Sequence, residues 1–198
     1  MTRLFLIRHG QTALNKQRRY CGYRDVCLNI QGKVEVAKLR RRLGGLIFDK
    51  IYCSDRKRAQ QSASILFGNG FKKVKGLREI NFGIFEGLKH SEILKKYPDI
   101  YKKWLDDPYK VKIPKAEPMR VFKKRVLAAI KDIFRANRGK TVAAVCHGGV
   151  IGVFVSNLSK DRNFWRFVPA CASVTIVEHK GNNFKINKFN CKTKISNG

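Results

Sequence analysis

The chain has 198 residues, of which 43% are hydrophobic and 11% aromatic, so it is long enough to build one domain with a full core. No apolar run approaches the roughly 18 residues of a membrane span, and the apolar start is shorter than the roughly 7 to 15 residues of a secretory signal. The chain has 43 Lys and Arg residues and 14 acidic residues, so its net charge is +29. This positive charge should attract anionic partners.

These features predict a cytoplasmic protein without a membrane partner. Nucleic acid, phosphorylated metabolites and acidic membranes are all candidate anions for so basic a chain. The basic residues are spread along the whole sequence, and no RNA-binding or helix-turn-helix pattern gathers them. We therefore expect no nucleic-acid partner and interpret the charge as a solvated cationic surface, which leaves phosphorylated metabolites among the candidate anions.

The first half of the chain alternates strands and helices. Apolar runs predict buried strands over 3–7 and 49–53. Asn29 is a good N-cap for a first long helix, and Ser54-Asp55 for a second, which ends before Gly68. The expected core stripes are Ile30, Val34, Ala37 and Leu43 in the first helix and Ala59, Ala63 and Leu66 in the second.

The second half repeats this alternation after an irregular segment. Residues 88–116 predict short helices broken by prolines, which suits a cap-like insertion, and Pro118 then begins a long helix. A strand over 141–146 precedes a helix over 150–158. Strands over 172–178 and 184–189 flank Gly181-Asn182-Asn183, a hairpin signal.

This order predicts an α/β fold: a three-layer sandwich with a mostly parallel sheet, helices on both faces and a small helical cap. The predicted domain organisation is a single domain over 1–198 with its cap at about 88–116.

The six cysteines form no C-x-x-C pair, and Cys53 and Cys146 each end an apolar run. We therefore expect reduced thiols rather than a disulfide framework or a zinc site.

Two histidines follow predicted strands, and each precedes a glycine. His9 follows 3–7 and His147 follows 141–146. Because the carboxyl ends of parallel strands share one edge of a sheet, these side chains should converge on one crevice.

Three cations, Arg56, Lys57 and Arg58, lie in the first turn of a predicted helix, where the helix dipole disfavours positive charge. A bound anion would reverse that penalty, and Arg58 is best placed to reach it, with the other two extending into water.

Four segments together resemble the signatures of the histidine phosphatase family, also called phosphoglycerate mutase-like. They appear in the family's order over nearly the whole chain, at residues 8–15, 54–63, 77–87 and 146–149. The sequence departs from the family pattern at 25–29, which reads Asp-Val-Cys-Leu-Asn, and at 115–118, which reads Lys-Ala-Glu-Pro.

The resemblance implies a phosphohistidine formed on His9, with Glu79 as the general acid and base. It implies that the phosphoryl oxygens contact Arg8, Arg58 and His147. The implied substrate-binding set also includes Asn15, Gly148 and backbone amides near Cys21 and Gly22. Neither a metal nor another cofactor is expected.

Within the family, the sequence is most similar to the branch that dephosphorylates α-ribazole 5'-phosphate in cobalamin synthesis. This similarity rests on the length, on Trp104 and on the segments 164–167 and 173–175. Broad-specificity phosphatases are close rivals. A phosphoglycerate mutase would share the site, although such mutases tend to have a longer cap. A non-enzymatic anion- or RNA-binding protein is a further alternative. A homodimer is compatible with the sequence, which does not fix the oligomeric state.

Overall fold

The computed structural model of the protein describes residues 1–161, 163–181 and 183–193. Six strands form one sheet in the order β3-β2-β4-β1-β5-β6. The strands are β1 (Thr2–Arg8), β2 (Lys50–Cys53), β3 (Lys72–Lys73), β4 (Thr141–Cys146), β5 (Val174–Lys180) and β6 (Asn183–Cys191). The helices are α1 (Ala13–Lys16), α2 (Ile30–Arg42), α3 (Lys57–Phe67), α4 (His90–Lys96), α5 (Pro98–Asp106), α6 (Met119–Ala136) and α7 (Gly148–Leu158).

The predicted α/β architecture is confirmed. Strands β3, β2, β4 and β1 run parallel, whereas β5 and β6 are antiparallel additions at one edge. The sequence analysis did not predict β3, which has only two residues. Strands β5 and β6 pair as the predicted hairpin, although Asn182 of its predicted turn lies outside the described residues.

Alternate residues of β1 face opposite layers, which explains its unbroken apolar run. Leu4 and Leu6 belong to the core shared with α6 and α7. Phe5 and Ile7 belong to the core shared with α2 and α3. Helices therefore cover both faces of the central strands. No helix in the described part of the chain is long and apolar enough to cross a membrane.

The cap-like segment contains α4 and α5 and has a small core of its own, formed by Phe85, Ile93, Tyr101, Trp104 and Ile113. The sheet core and this cluster meet at Trp165, which packs edge-on against Trp104 with ring centroids 4.7 Å apart. The single-domain assignment and the role of this segment as a cap stay predictions.

The predicted core stripe of α2 is wrong at Ile30, Val34 and Ala37, which are exposed, and is confirmed at Leu43. Asn29 caps the helix as expected by accepting the Gly32 N–H at 2.7 Å. Ile30 is 83% exposed and Val34 is 42% exposed. The buried face is instead Gly32, Val36, Leu39 and Leu43. The reason is a close backbone contact, because a Cβ at Gly32 would lie 2.0 Å from the Gln11 carbonyl oxygen. Only glycine allows this approach, which rotates the helix away from the stripe predicted from hydrophobicity.

The predicted caps of α3 are also wrong. Its first residue, Lys57, donates its backbone N–H to the Asp25 carboxylate at 2.7 Å, so a distant loop caps the helix. Asp55 instead pairs with Arg78 at 2.5 Å. The predicted stripe of α3, by contrast, is confirmed, because Ala59, Ala63 and Leu66 are all buried.

Replacing Gly32 with Ala is expected to lower the free energy of unfolding by about 1 to 3 kcal/mol, because the new methyl group collides with the backbone at Gln11. Intrinsic helix propensity alone predicts the opposite change, a gain of about 1 kcal/mol. Urea denaturation measures the difference. Gly70→Ala is the matched control, since a Cβ at that position would meet no atom within 4 Å. A more stable Gly32→Ala protein would contradict the proposed contact.

Candidate active site

Three parallel strands end side by side, and a buried polar residue follows each of them. Arg8 at the end of β1 lies opposite Cys146 at the end of β4, while Cys53 of β2 lies opposite Val145. The residues that follow these ends are His9, Ser54 and His147, which are at most 4% exposed. The predicted convergence of the two histidines is observed, and their ring centroids are 5.1 Å apart.

The hydrogen bonds of His9 fix its tautomer. Its Nδ1 lies 2.7 Å from the Gly10 carbonyl oxygen, which can only accept, so Nδ1 carries the proton. Its Nε2 accepts from the Arg58 Nε–H at 3.2 Å. Burial, and then the charge of Arg58, holds the pKa of His9 well below its ordinary value. His9 is therefore a neutral imidazole with a lone pair on Nε2.

Arg58 is 1% exposed, and its remaining donors contact one loop. Its Nη1 donates to the Arg24 carbonyl at 2.9 Å, and its Nη2 donates to the Gly22 carbonyl at 2.9 Å and the Cys21 carbonyl at 3.4 Å. The Gly22 amide, one of the backbone amides that the resemblance places near the substrate, donates to the Glu86 carboxylate at 3.0 Å. Loop carbonyls are needed to solvate a buried guanidinium, so they face the site.

Arg56 also differs from its prediction. Instead of extending into water, its guanidinium carbon lies 4.5 Å from the ring centroid of Tyr23, a cation–π distance. Lys57 is exposed as expected.

His147 is fully buried and is oriented by Ser54. The Ser54 hydroxyl lies 2.8 Å from His147 Nε2. Within the described residues, His147 Nδ1 is buried without a hydrogen-bond partner. Burial, followed by the charge of Arg58, holds the pKa of His147 well below its ordinary value. A neutral imidazole with one unused nitrogen thus lies beside His9.

Glu79 is a buried carboxyl group between two backbone amides. Its Oε2 accepts from the Gly149 N–H at 2.9 Å, and its Oε1 accepts from the Ile80 N–H at 3.0 Å. Burial raises the pKa of Glu79, although both amides and the charges of Arg58 and Arg8 oppose that shift. Gly149 permits this contact, because a Cβ there would lie 2.3 Å from Glu79 Oε1.

Arg8, Asn15 and Gly148 complete the predicted set, and all three line one cleft together with Glu79 and Cys21. Arg8 donates to the Pro169 carbonyl, and its Nε has no partner among the described residues. The Asn15 Oδ1 accepts from the Thr12 backbone N–H at 3.1 Å and the Thr12 hydroxyl at 2.9 Å, which leaves its NH₂ group to face a ligand.

The outer wall of the cleft is aromatic, formed by Tyr20, Phe82, Trp104, Phe164 and Trp165. Besides Arg8, the described lining residues include one cation, Arg19. That guanidinium is already engaged, because it bonds the Glu92 carboxylate at 2.8 Å and the Gly87 carbonyl at 2.7 Å. The wall therefore offers flat apolar surface rather than a free positive charge.

Sequence reasoning missed Ser54 as a site residue and gave Glu86 no role. Ser54 follows a strand end as His9 and His147 do, so the same rule could have found it. Glu86 binds the backbone amides of Gly22, Tyr23 and Phe82, at distances of 2.8 to 3.2 Å. No sequence signal pairs an isolated glutamate with amides more than 60 residues away.

Neither a metal cluster nor an activated thiol accompanies this site in the described part of the chain. Over those residues, no group of three or more His, Cys, Asp or Glu side chains could hold a metal ion. All six cysteines are free. Burial raises the pKa of the Cys21 thiol, which therefore stays protonated in the cleft wall.

Arg8 and the buried Glu79 carboxyl line this cleft, and the buried His9, Arg58 and His147 lie behind it at the strand ends. Such a set of groups suits a phosphate monoester, as in α/β enzymes of phosphoryl transfer. A family model described as the histidine phosphatase superfamily (branch 1) matches residues 4–192. The chain belongs to this superfamily, and it is a phosphatase that hydrolyses phosphoric monoesters. The enzymatic interpretation of the sequence is thereby confirmed over the non-enzymatic one.

Individual relatives carry different substrate names. Phosphoserine phosphatase 1 of Hydrogenobacter thermophilus is 28% identical over 195 residues, which cover 96% of this chain and 92% of that protein. The adenosylcobalamin/alpha-ribazole phosphatase of Escherichia coli is 28% identical over 159 residues, covering 79% and 78%. The structure of YhfR from Bacillus stearothermophilus superposes with a TM-score of 0.89 at 29% identity, covering 96% and 97%.

Replacing His147 with Asn is expected to make unfolding less sensitive to acid. The pKa of His147 is lower in the folded than in the unfolded protein, so the unfolded chain takes up the proton first as the pH falls. The contribution of His147 to stability is therefore complete above its ordinary pKa of 6.5 and is lost below it. The free energy of unfolding of the His147→Asn protein should fall less steeply below that pH, by up to about 1.4 kcal/mol per pH unit.

Urea denaturation between pH 7 and pH 5 measures both slopes. His90→Asn, an exposed histidine on α4, is the control for the substitution itself. Equal slopes for wild type and His147→Asn would contradict a neutral buried His147.

Proposed function

We propose that the protein is a metal-independent phosphomonoesterase that forms a phosphohistidine on His9. The observation that carries the proposal is the 2.7 Å contact between His9 Nδ1 and the Gly10 carbonyl oxygen. It keeps the proton on Nδ1 and the lone pair on Nε2, next to the cleft that Arg8 and Gly148 line. A histidine nucleophile divides one difficult displacement at phosphorus into two easier ones.

In the proposed first step, His9 Nε2 attacks phosphorus in line and the bond to the leaving alcohol oxygen breaks. Arg58 Nε, which now donates to His9 Nε2 at 3.2 Å, turns to a phosphoryl oxygen as the substrate enters. The unpartnered Arg8 Nε and His147 Nδ1 are further donors for these oxygens. Such transfers depend mainly on positioning and on stabilisation of charge. Asn15 and Gly148 complete the set of phosphoryl contacts.

Glu79 serves in turn as general acid and general base. Its raised pKa keeps the carboxyl protonated at a higher pH than an exposed glutamate, so it can donate a proton to the leaving alcohol. The resulting carboxylate then takes a proton from water, which attacks the phosphohistidine. The second displacement restores neutral His9 and releases inorganic phosphate.

Incubation with a ³²P-labelled substrate and rapid quenching is expected to label the protein through a linkage that is stable to base and labile to acid, as phosphohistidine is. The label should be absent in His9→Ala, which removes the nucleophile. A matched control is His90→Ala on α4, outside the cleft. Label retained in His9→Ala, or an acid-stable label, would contradict the proposal.

The mutase alternative is tested in the same preparations by comparing phosphate release with interconversion of 2- and 3-phosphoglycerate. Hydrolysis without interconversion is expected, because water reaches the phosphohistidine. Interconversion without phosphate release would favour the mutase.

For the substrate, we propose a monoester of an alcohol that carries a neutral aromatic group, with α-ribazole 5'-phosphate as the leading candidate. The aromatic wall supports this choice, since flat rings stack on Trp and Tyr side chains. A phosphoserine phosphatase is the rival, favoured by the Hydrogenobacter relative. Phosphoserine carries a carboxylate, and the described cleft wall has no unengaged cation to receive it, since Arg19 is paired with Glu92.

α-Ribazole 5'-phosphate is therefore expected to be hydrolysed with a kcat/KM at least about 10-fold above that of O-phosphoserine. Trp165→Ala should raise KM for the ribazole substrate by about 3- to 10-fold, the value of one aromatic contact. It should leave phosphoserine hydrolysis nearly unchanged. Phe184→Ala, an exposed aromatic residue outside the cleft, is the control. Preference for phosphoserine would overturn the substrate assignment and would not affect the phosphohistidine chemistry.

The cytoplasmic location, the homodimer and the exclusion of nucleic acid remain predictions.

A further inference from the structure

Arg125, in the middle of α6, binds the loop that carries Glu79. Its Nη1 donates to the carbonyls of Gly76 at 3.0 Å and Arg78 at 2.8 Å. Its Nη2 donates to the carbonyl of Glu79 itself at 3.1 Å. One guanidinium thus holds three backbone carbonyls within four consecutive residues.

The other donors of Arg125 bind Glu117 in a two-pronged ion pair. Its Nε lies 2.8 Å from Glu117 Oε1, and its Nη2 lies 2.7 Å from Glu117 Oε2. With these contacts all five N–H groups of the guanidinium are used. The pair is largely shielded, with side-chain exposures of 22% for Arg125 and 11% for Glu117. The backbone N–H of Glu117 also donates to the Asn81 carbonyl at 3.0 Å, so Glu117 holds the same loop from its other end.

Arg125 does not line the cleft formed by Glu79, Arg8 and the aromatic wall. Its charge is balanced by Glu117, and its guanidinium carbon lies 4.9 Å from the Phe122 ring centroid. It therefore acts on the loop rather than on a substrate. The Glu79 carboxyl is held by the amides of Gly149, on α7, and of Ile80, in the same loop, so a shift of the loop by about 1 Å would break its bond to Gly149.

We propose that Arg125 and Glu117 together are positioning residues that hold the Glu79 carboxyl at the leaving-group oxygen. The inference rests on the proposed function, in which Glu79 is the general acid. A planar five-donor fork is required, because three carbonyls and a carboxylate cannot all be reached by the three donors of a lysine. The pair thus sets the protonation step and does not contribute to binding of the phosphoryl group.

The test compares Arg125→Lys with Glu79→Gln on two substrates, p-nitrophenyl phosphate, whose leaving group needs no proton, and an alkyl phosphate, whose leaving group does. Both variants are expected to lose at least about 10-fold more kcat/KM on the alkyl substrate than on the aryl one, because kcat/KM reports the step in which the leaving group departs and general acid catalysis contributes about 10²- to 10⁴-fold to it. Arg120→Lys, exposed on the same helix, is the control and should behave as wild type.

A pH profile gives a second readout. The basic limb of kcat/KM for the alkyl substrate requires a protonated Glu79, whose pKa is raised mainly by burial. In Arg125→Lys a looser loop admits water, so this limb should move to lower pH. A role confined to stability would reduce both substrates equally, through the fraction of folded protein, and would leave the limb in place. Thermal unfolding of each variant measures that fraction.

The outcomes separate the two proposals. A selective loss in Glu79→Gln together with equal losses on both substrates in Arg125→Lys would overturn the positioning role alone. Equal losses in Glu79→Gln would overturn the acid role of Glu79 and the inference with it. If Arg125→Lys does not fold, Glu117→Gln takes its place. That variant keeps the shape but removes the charge that orients the guanidinium, so it should show a smaller selective loss on the alkyl substrate, and equal losses would again overturn the inference.

Discussion

The structure around the cleft depends on how one buried cation is accommodated. Arg58 is 1% exposed and makes none of the ion pairs found in the described residues, so loop carbonyls and the His9 ring must replace its water. Those carbonyls face inward only because the Glu86 carboxylate collects the amides of Gly22 and Tyr23 from the other side. The loop is thus held between a cation and an anion that never touch. In the proposed reaction a phosphate dianion supplies the counter-charge of Arg58, so the stability given up in burying this cation would be recovered when a phosphoryl group binds.

Burial has opposite consequences for the ionisable groups of the cleft, and each suits its proposed role. Desolvation disfavours the charged form of any group, so it lowers the pKa of His9 and His147 and raises that of Glu79. One environment therefore favours the unprotonated form of the proposed nucleophile and the protonated form of the proposed acid. The nearby charges of Arg8 and Arg58 reinforce the first effect and oppose the second. The Gly149 and Ile80 amides fix the position of the Glu79 carboxyl, and the Arg125–Glu117 pair holds the loop behind it.

The cleft divides into a rigid polar floor and an aromatic outer wall with different structural origins. The floor lies at the ends of β1, β2 and β4, where sheet hydrogen bonds fix the backbone in register. The wall comes from the segment around Tyr20, from the cap-like helix α5 and from the turn at Trp165. A substitution in the wall would therefore leave the register of the strand ends intact, so one fold can carry one reaction on different substrates.

The sequence by itself determined the α/β architecture, the order of its strands and long helices apart from the two-residue β3, and the convergence of His9 and His147, because apolar runs and strand ends are local signals. The tertiary structure decided which face of α2 is buried, since that depends on a backbone contact between Gly32 and Gln11 that hydrophobicity does not encode. It also decided that Asp25 rather than Ser54-Asp55 caps α3, that Gly22 turns its amide toward Glu86, and that Arg125 supports Glu79. Each of these contacts joins residues distant in sequence, and their hydrogen bonds exist only after the sheet has brought the loops together.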